Sequence, residues 1–130
     1  MKSAYDDRQD HIPDLDTPTI ETFKFMFPGT DTVLLVETSE FTCVCPKTGL
    51  PDFATLKIRY RPTDLCLELK SFKEYLLSFR DLGIFHEHVV NVLRRDLVKA
   101  CRPVWLEIEG VFNARGGITT TATAKFGDVP

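Results

Sequence analysis

The sequence predicts an α+β fold, a four-stranded antiparallel sheet with two helices on one face. Three observations predict it. Residues 54–60 alternate strictly between apolar and polar, the period of a half-buried strand. Residues 67–81 and 85–100 switch to helical spacing. The strand-like segments fall in consecutive pairs on either side of those helices, giving the order ββααββ and antiparallel hairpins.

The elements follow in order. "DTVLLVET", residues 31–38, is rich in β-branched side chains and reads as the first strand. The loop "CPKTGLPDF" comes next. "FATLKIRYRP" is the second strand, with Ala54, Leu56, Ile58 and Tyr60 on one face and Thr55, Lys57 and Arg59 on the other. In "LELKSFKEYLLSFRD" an apolar stripe of Leu69, Phe72, Leu76 and Phe79 makes a helix that Gly83 ends. A second helix spans Phe85 to Ala100, with Phe85, Val89, Val92, Leu93 and Leu97 on its apolar side and Pro103 closing it. "VWLEIEGVF" and "ITTTATAKF" are the last two strands, joined through the turn "NARGG". A sheet of this kind leaves two open edges, which partner subunits often close, so an oligomer is expected.

The 130 residues predict one domain with a sizeable core, at 43% apolar and 27% charged content. Residues 1–22 carry Asp6, Asp7, Asp10, Asp14, Asp16 and Glu21 and read as an acidic, partly ordered tail; residues 23–130 form the domain. No apolar run approaches the ~20 residues that cross a bilayer. "MKSAYDDRQDHIPDLD" has no apolar stretch of the kind a secretory signal carries, so a cytoplasmic protein without membrane contact is expected. A net charge of −3 argues against a nucleic-acid-binding surface. The four cysteines, at 43, 45, 66 and 101, are expected to stay reduced there. Cys43 and Cys45 form C-x-C, not the C-x-x-C of a zinc knuckle, and no metal is expected.

The residues able to do chemistry are few. Cys45 precedes a proline outside any periodic apolar run, unlike a core-filling thiol, and is a candidate nucleophile. Asp52, seven positions on, is either a turn former or a proton carrier. Two prolines and a glycine between them stiffen the loop enough to bring both to one point. In "FHEHVV", His86 and His88 lack the i, i+4 spacing that grips a metal on one helix face. Glu87 either complements the helix N-terminus or accepts from two adjacent N–H donors of a guanine-type edge. No G-x-G-x-x-G is present, so a dinucleotide would be held otherwise, by Lys70, Lys73 and Arg115 with Gly116 and Gly117.

Together, "CPKTGLPDFATLKIRY", "ELKSFKEY", "FHEHVVN" and "FNARGG" resemble the NADPH-dependent 7-cyano-7-deazaguanine reductases, nitrile reductases of queuosine tRNA modification. The resemblance covers roughly residues 23–126, with four motifs in the right order and spacing. It implies the tunnelling fold, with strands joining across subunits into a barrel. In the short, single-module branch this gives a homo-oligomer, a decamer of two pentamers. It implies that Cys45 is the catalytic cysteine, Asp52 the proton-transfer aspartate, His86 a catalytic and substrate-binding histidine, and Glu87 the substrate anchor. It implies NADPH as cofactor, bound through Glu68, Leu69, Lys70, Ser71 and Lys73 with Arg115 and Gly116. Glu74 departs from the family pattern, which has Leu or Tyr there. The second cysteine that some members pair with the catalytic one is missing from "HEHVVN", so that protective disulfide is not expected. Two rivals remain: a zinc-dependent cyclohydrolase or pterin synthase on the same fold, using Cys45 with His86 or His88, and a non-catalytic purine-binding oligomer.

Overall fold

The computed structural model describes residues 8–130; Asp6 and Asp7 of the acidic tail lie outside them. Among the described residues, six strands and two helices follow a 3-10 turn at Ile12–Asp14. They are β1 (Thr22–Lys24), β2 (Leu34–Val44), β3 (Pro51–Arg61), β4 (Leu65–Leu67), α1 (Leu69–Leu77), α2 (His86–Cys101), β5 (Trp105–Arg115) and β6 (Ile118–Phe126). The long strands make one antiparallel sheet in the order β2-β3-β5-β6, and its core face packs against both helices. This is the expected ββααββ order. A short antiparallel ribbon of β1 and β4, three residues each, has no counterpart in the sequence reading.

The core forms where the alternation places it. Ala54, Leu56, Ile58 and Tyr60 are all buried beneath Val89, Val90, Leu93 and Leu97 of α2. Gly110 lets α2 approach the sheet: a Cβ there would come within 3.2 Å of Val90 Cγ1. Gly116 and Gly117, at φ 58 and 80, turn β5 into β6 in two residues; a tight hairpin with positive φ at both positions suits glycine.

Two register slips lie beyond the reach of periodicity. On β2, Thr38 pairs with Leu56 and Phe41 with Ala54, so three steps on β2 face two on β3. The extra residue is a β-bulge, and it inverts the alternation. Before it Leu34, Val36 and Thr38 turn inward; after it Phe41 and Cys43 do. The first strand therefore runs to Val44, past the expected end at Thr38. On β5, Phe112 pairs with Thr120 and Arg115 with Ile118, again one residue in excess.

The first helix also differs from expectation. Leu69 is exposed, and Tyr75 takes its place on the buried face. Phe79 is buried but lies in the turn after α1 rather than in it. The cause is the tether at the helix start, where Glu68 caps the chain leaving β4 and fixes the helix phase. Arg102, in the left-handed region at φ 49, terminates α2 just ahead of Pro103.

Candidate active site

The β2–β3 hairpin positions the thiol. Its loop is closed by Cys45 N–H donating to Leu50 O (2.9 Å) and Gly49 N–H to Cys45 O (2.9 Å). Within it, the Thr48 hydroxyl and the backbone N–H groups of Thr48 and Lys47 favour the Cys45 thiolate. These donors hold the thiol below its ordinary range, the Thr48 hydroxyl foremost, against burial, which is the next largest effect, and the smaller effect of the Asp52 charge. Cys43, fully buried two residues earlier, behaves oppositely: burial, then the neighbouring Asp52 and Cys45, push it up to about 12.

Asp52 is the second residue of β3 and pairs with Cys43 across the strands. Cys45 therefore lies two residues beyond the level of Asp52, on the order of 7 Å of strand. Asp52 is 6% exposed, and His86 and Arg115 both reach its carboxylate. His86 Nε2 lies 3.0 Å from Oδ2, and Arg115 Nη1 donates to Oδ1 at 3.1 Å. An ionised carboxylate only accepts, so His86 presents Nε2–H to it. The imidazole is fixed from the other side by Phe112, stacked at 3.8 Å between centroids and 9° between planes. His86 opens α2, Phe112 and Arg115 end β5, and Cys45 and Asp52 flank the β2–β3 loop; three parts of the chain thus meet at one end of the sheet.

Glu87 sits beside His86 in the first turn of α2, exposed, where the helix dipole favours a carboxylate. His86 and His88 do not converge, since His88 Nδ1 faces Gln9 Oε1 at 2.9 Å. Among the described residues no group of three or more His, Cys, Asp or Glu could hold a metal.

The expected cofactor residues divide into two groups. Glu68 accepts from the N–H groups of Lys70 (2.9 Å) and Ser71 (2.7 Å) and so caps α1. Ser71 is buried, its hydroxyl donating to Glu68 O and accepting from Glu21 N–H. Both build the helix start. Leu69, Lys70 and Lys73 are exposed on it. Leu69 and Lys73 also line a groove of about 300 Å³ between α1 and β2, with Phe41, Phe72, Leu76 and Leu77. Two exposed ammonium groups beside an apolar groove suit a phosphate-bearing planar ligand. Arg115 lies elsewhere, against Asp52, with Gly116 in the turn beyond it. Phe112 went unread as a site residue; its only signal was its place in "FNARGG".

Known proteins match most of the chain. A family model described as QueF-like protein matches residues 51–129. A protein of Anaeromyxobacter dehalogenans strain 2CP-C named NADPH-dependent 7-cyano-7-deazaguanine reductase is 50% identical over 119 residues, 92% of this chain and 98% of the relative. One of the same name from Chloroherpeton thalassium is 51% identical over 107 residues, 82% and 92% of the two chains. The solved apo structure of an archaeosine synthase QueF-Like superposes with a TM-score of 0.71 at 23% identity, covering 78% of this chain and 99% of that one; it shares the tunnelling fold. With relatives this similar over nearly their whole length, the chain belongs to the QueF-like family of NADPH-dependent 7-cyano-7-deazaguanine reductases.

Proposed function

We propose that the chain reduces the nitrile of 7-cyano-7-deazaguanine to the primary amine, 7-aminomethyl-7-deazaguanine, in queuosine biosynthesis. The reduction consumes two NADPH and passes through a thioimide on Cys45. The observation that carries the mechanism is the buried Asp52, paired with His86 at 3.0 Å at the hairpin end that bears Cys45.

A nitrile carbon is a modest electrophile, and covalent addition divides a hard reduction into easier steps. The Cys45 thiolate adds to that carbon, and the nitrogen takes up a proton. Asp52, oriented by His86 and Arg115, takes the thiol proton and returns it to the developing nitrogen anion. After the first two-electron reduction the tetrahedral carbon expels the thiolate, leaving an imine; the second reduction gives the amine. Glu87 accepts the N–H donors of the deazaguanine edge. Bound NADPH supplies the hydrides, and Lys70 and Lys73 would hold it, on the helix start that Glu68 and Ser71 shape.

The setting is proposed to be cytoplasmic, and the assembly a homo-oligomer, a decamer of two pentamers. Open sheet edges support an assembly: on edge strands β2 and β6, Leu35 and Ile118 are 56% and 74% exposed. Among the described residues no helix is long and apolar enough to cross a membrane. The zinc-hydrolase alternative is disfavoured because His86 and His88 turn to different partners.

Intact mass after mixing with 7-cyano-7-deazaguanine, without NADPH, tests the reading. An adduct of the whole substrate is expected on the native chain and not on Cys45→Ala. No adduct despite measurable binding would overturn the nitrile mechanism.

A further inference from the structure

The first described residues lie across the active-site end of the sheet. Ile12 anchors them, 5% exposed and packed into the core, and Arg95 Nη1 donates to Pro13 O at 2.8 Å. Just upstream, the Gln9 side chain has four hydrogen-bond partners. Its Nε2 donates to Gly83 O (3.1 Å) and to Arg8 O (2.9 Å). Its Oε1 accepts from Phe85 N–H (3.0 Å) and from His88 Nδ1 (2.9 Å). These four partners set the amide orientation, because a flipped amide would place its NH2 against the Phe85 N–H and its oxygen against two carbonyls. They also make His88 Nδ1 the donor to Gln9 Oε1.

The place of these contacts matters more than their number. Phe85 is the N-cap of α2 and supplies no side-chain cap of its own. His86 and Glu87 follow immediately. Segment 82–85 is stitched on its other side to the end of β2, by Val44 N–H to Leu82 O (2.9 Å) and Ile84 N–H to Val44 O (3.1 Å). Val44 precedes Cys45. Arg8 Nη1 in turn donates to Pro46 O at 2.9 Å, on the other side of the nucleophile. One short segment, more than 70 residues away in sequence from α2, thus grips both backbone stretches that carry the chemistry.

We propose that Gln9, assisted by Arg8, is a positioning residue for the nitrile-binding site: it fixes the start of α2, and with it Glu87 and His86, relative to the Cys45 loop. This rests on the reductase reading above. Substrate anchoring through Glu87 and attack by Cys45 need a distance between α2 and the loop held to a fraction of an ångström. A helix start free of its acceptor would fray and blur that distance.

The test uses the full chain with Gln9→Ala and Gln9→Glu. Gln9→Ala is expected to raise the KM for 7-cyano-7-deazaguanine about tenfold, with kcat and the KM for NADPH changed less than about threefold. Amide hydrogen exchange of residues 85–89 should quicken about tenfold, while the sheet keeps its protection. Gln9→Glu keeps an acceptor for the Phe85 N–H at a helix N-terminus and should restore part of the substrate affinity. Unchanged nitrile KM and exchange in Gln9→Ala would overturn the proposal. So would a parallel rise in both KM values with lost protection throughout, the mark of general destabilisation. If even the native chain forms no adduct, exchange decides alone. Faster exchange confined to 85–89 then supports the strap while the reductase reading falls; unchanged exchange removes both.

Discussion

Arg115 and Asp52 are joined by an ion pair of 3.1 Å that a β-bulge makes possible. In regular alternation Arg115 would face away from Phe112, three positions earlier. The extra residue on β5 between them puts both on the side of Asp52 and His86. Asp52 is almost fully buried while the Arg115 side chain is 35% exposed, so solvent screens the guanidinium but hardly the carboxylate.

Arg115→Met would leave that carboxylate with His86 as its remaining side-chain partner. A loss of about 1 kcal/mol in stability is expected, the low end of the range for an unsatisfied buried acceptor, because the arginine is partly exposed and His86 remains. Turnover should fall at least tenfold, because Asp52 loses the contact that orients it. Denaturant melts and single-turnover rates check both. Native rates would remove Arg115 from the proton path.

How much of this was legible beforehand depends on what periodicity records. The alternation of Ala54 to Tyr60 and the helical stripe of Val89, Val92, Leu93 and Leu97 reflect burial directly, and the fold followed from them. The bulge between Thr38 and Phe41 breaks parity, so the strand reading stopped at Thr38 and left Cys43 without an account. Arg115 looked like a phosphate ligand because its sequence neighbours are turn glycines; the Asp52 contact is set by register, which residue types do not encode. Glu68 and Ser71 carried a binding signature whose visible work is helix capping. Gln9 sat in a segment whose composition reads as solvated tail, and nothing local marks a side chain whose partners lie more than 70 residues on.

Thr48 gives the pH dependence of the nucleophile. Its hydroxyl is the foremost cause of the lowered Cys45 pKa, by stabilising the thiolate. The thiolate fraction, and with it the rate of adduct formation, should rise with pH through an inflection below that of an ordinary thiol. Thr48→Val removes the donor, so the inflection moves up and the rate near pH 7 falls. Iodoacetamide alkylation of Cys45 against pH follows the same shift. Coincident profiles for the two proteins would show that the hydroxyl does not tune the thiol.

Cys43 lies beside this chemistry and takes no part in it. With its pKa pushed up to about 12 and no exposed surface, it is a thiol at neutral pH. Cys43→Ala should leave the adduct on Cys45 intact and cost about 1–2 kcal/mol for the emptied core volume. Peptide mapping after alkylation of the folded chain should find label on Cys45 and none on Cys43. Loss of the adduct in a folded Cys43→Ala protein would transfer the nucleophile to Cys43.

The helix start of α1 separates residues that build a site from residues that touch its ligand. Glu68→Ala removes the cap, while Lys70→Ala and Lys73→Ala remove charge from the exposed surface. All three should raise the KM for NADPH, the lysine variants about tenfold at low salt and less as screening grows. Only Glu68→Ala should also lower the melting temperature. Its pKa is held down chiefly by the N–H groups of Ser71 and Lys70, so its stabilisation is present above the ordinary glutamate range. That stabilisation fades as pH falls through the still lower folded value. The melting difference between Glu68→Ala and the native chain should therefore be full at pH 7 and shrink below about pH 4. A lysine variant with native NADPH affinity at low salt would place the cofactor elsewhere, and equal melting for Glu68→Ala at pH 7 would deny the cap its structural role.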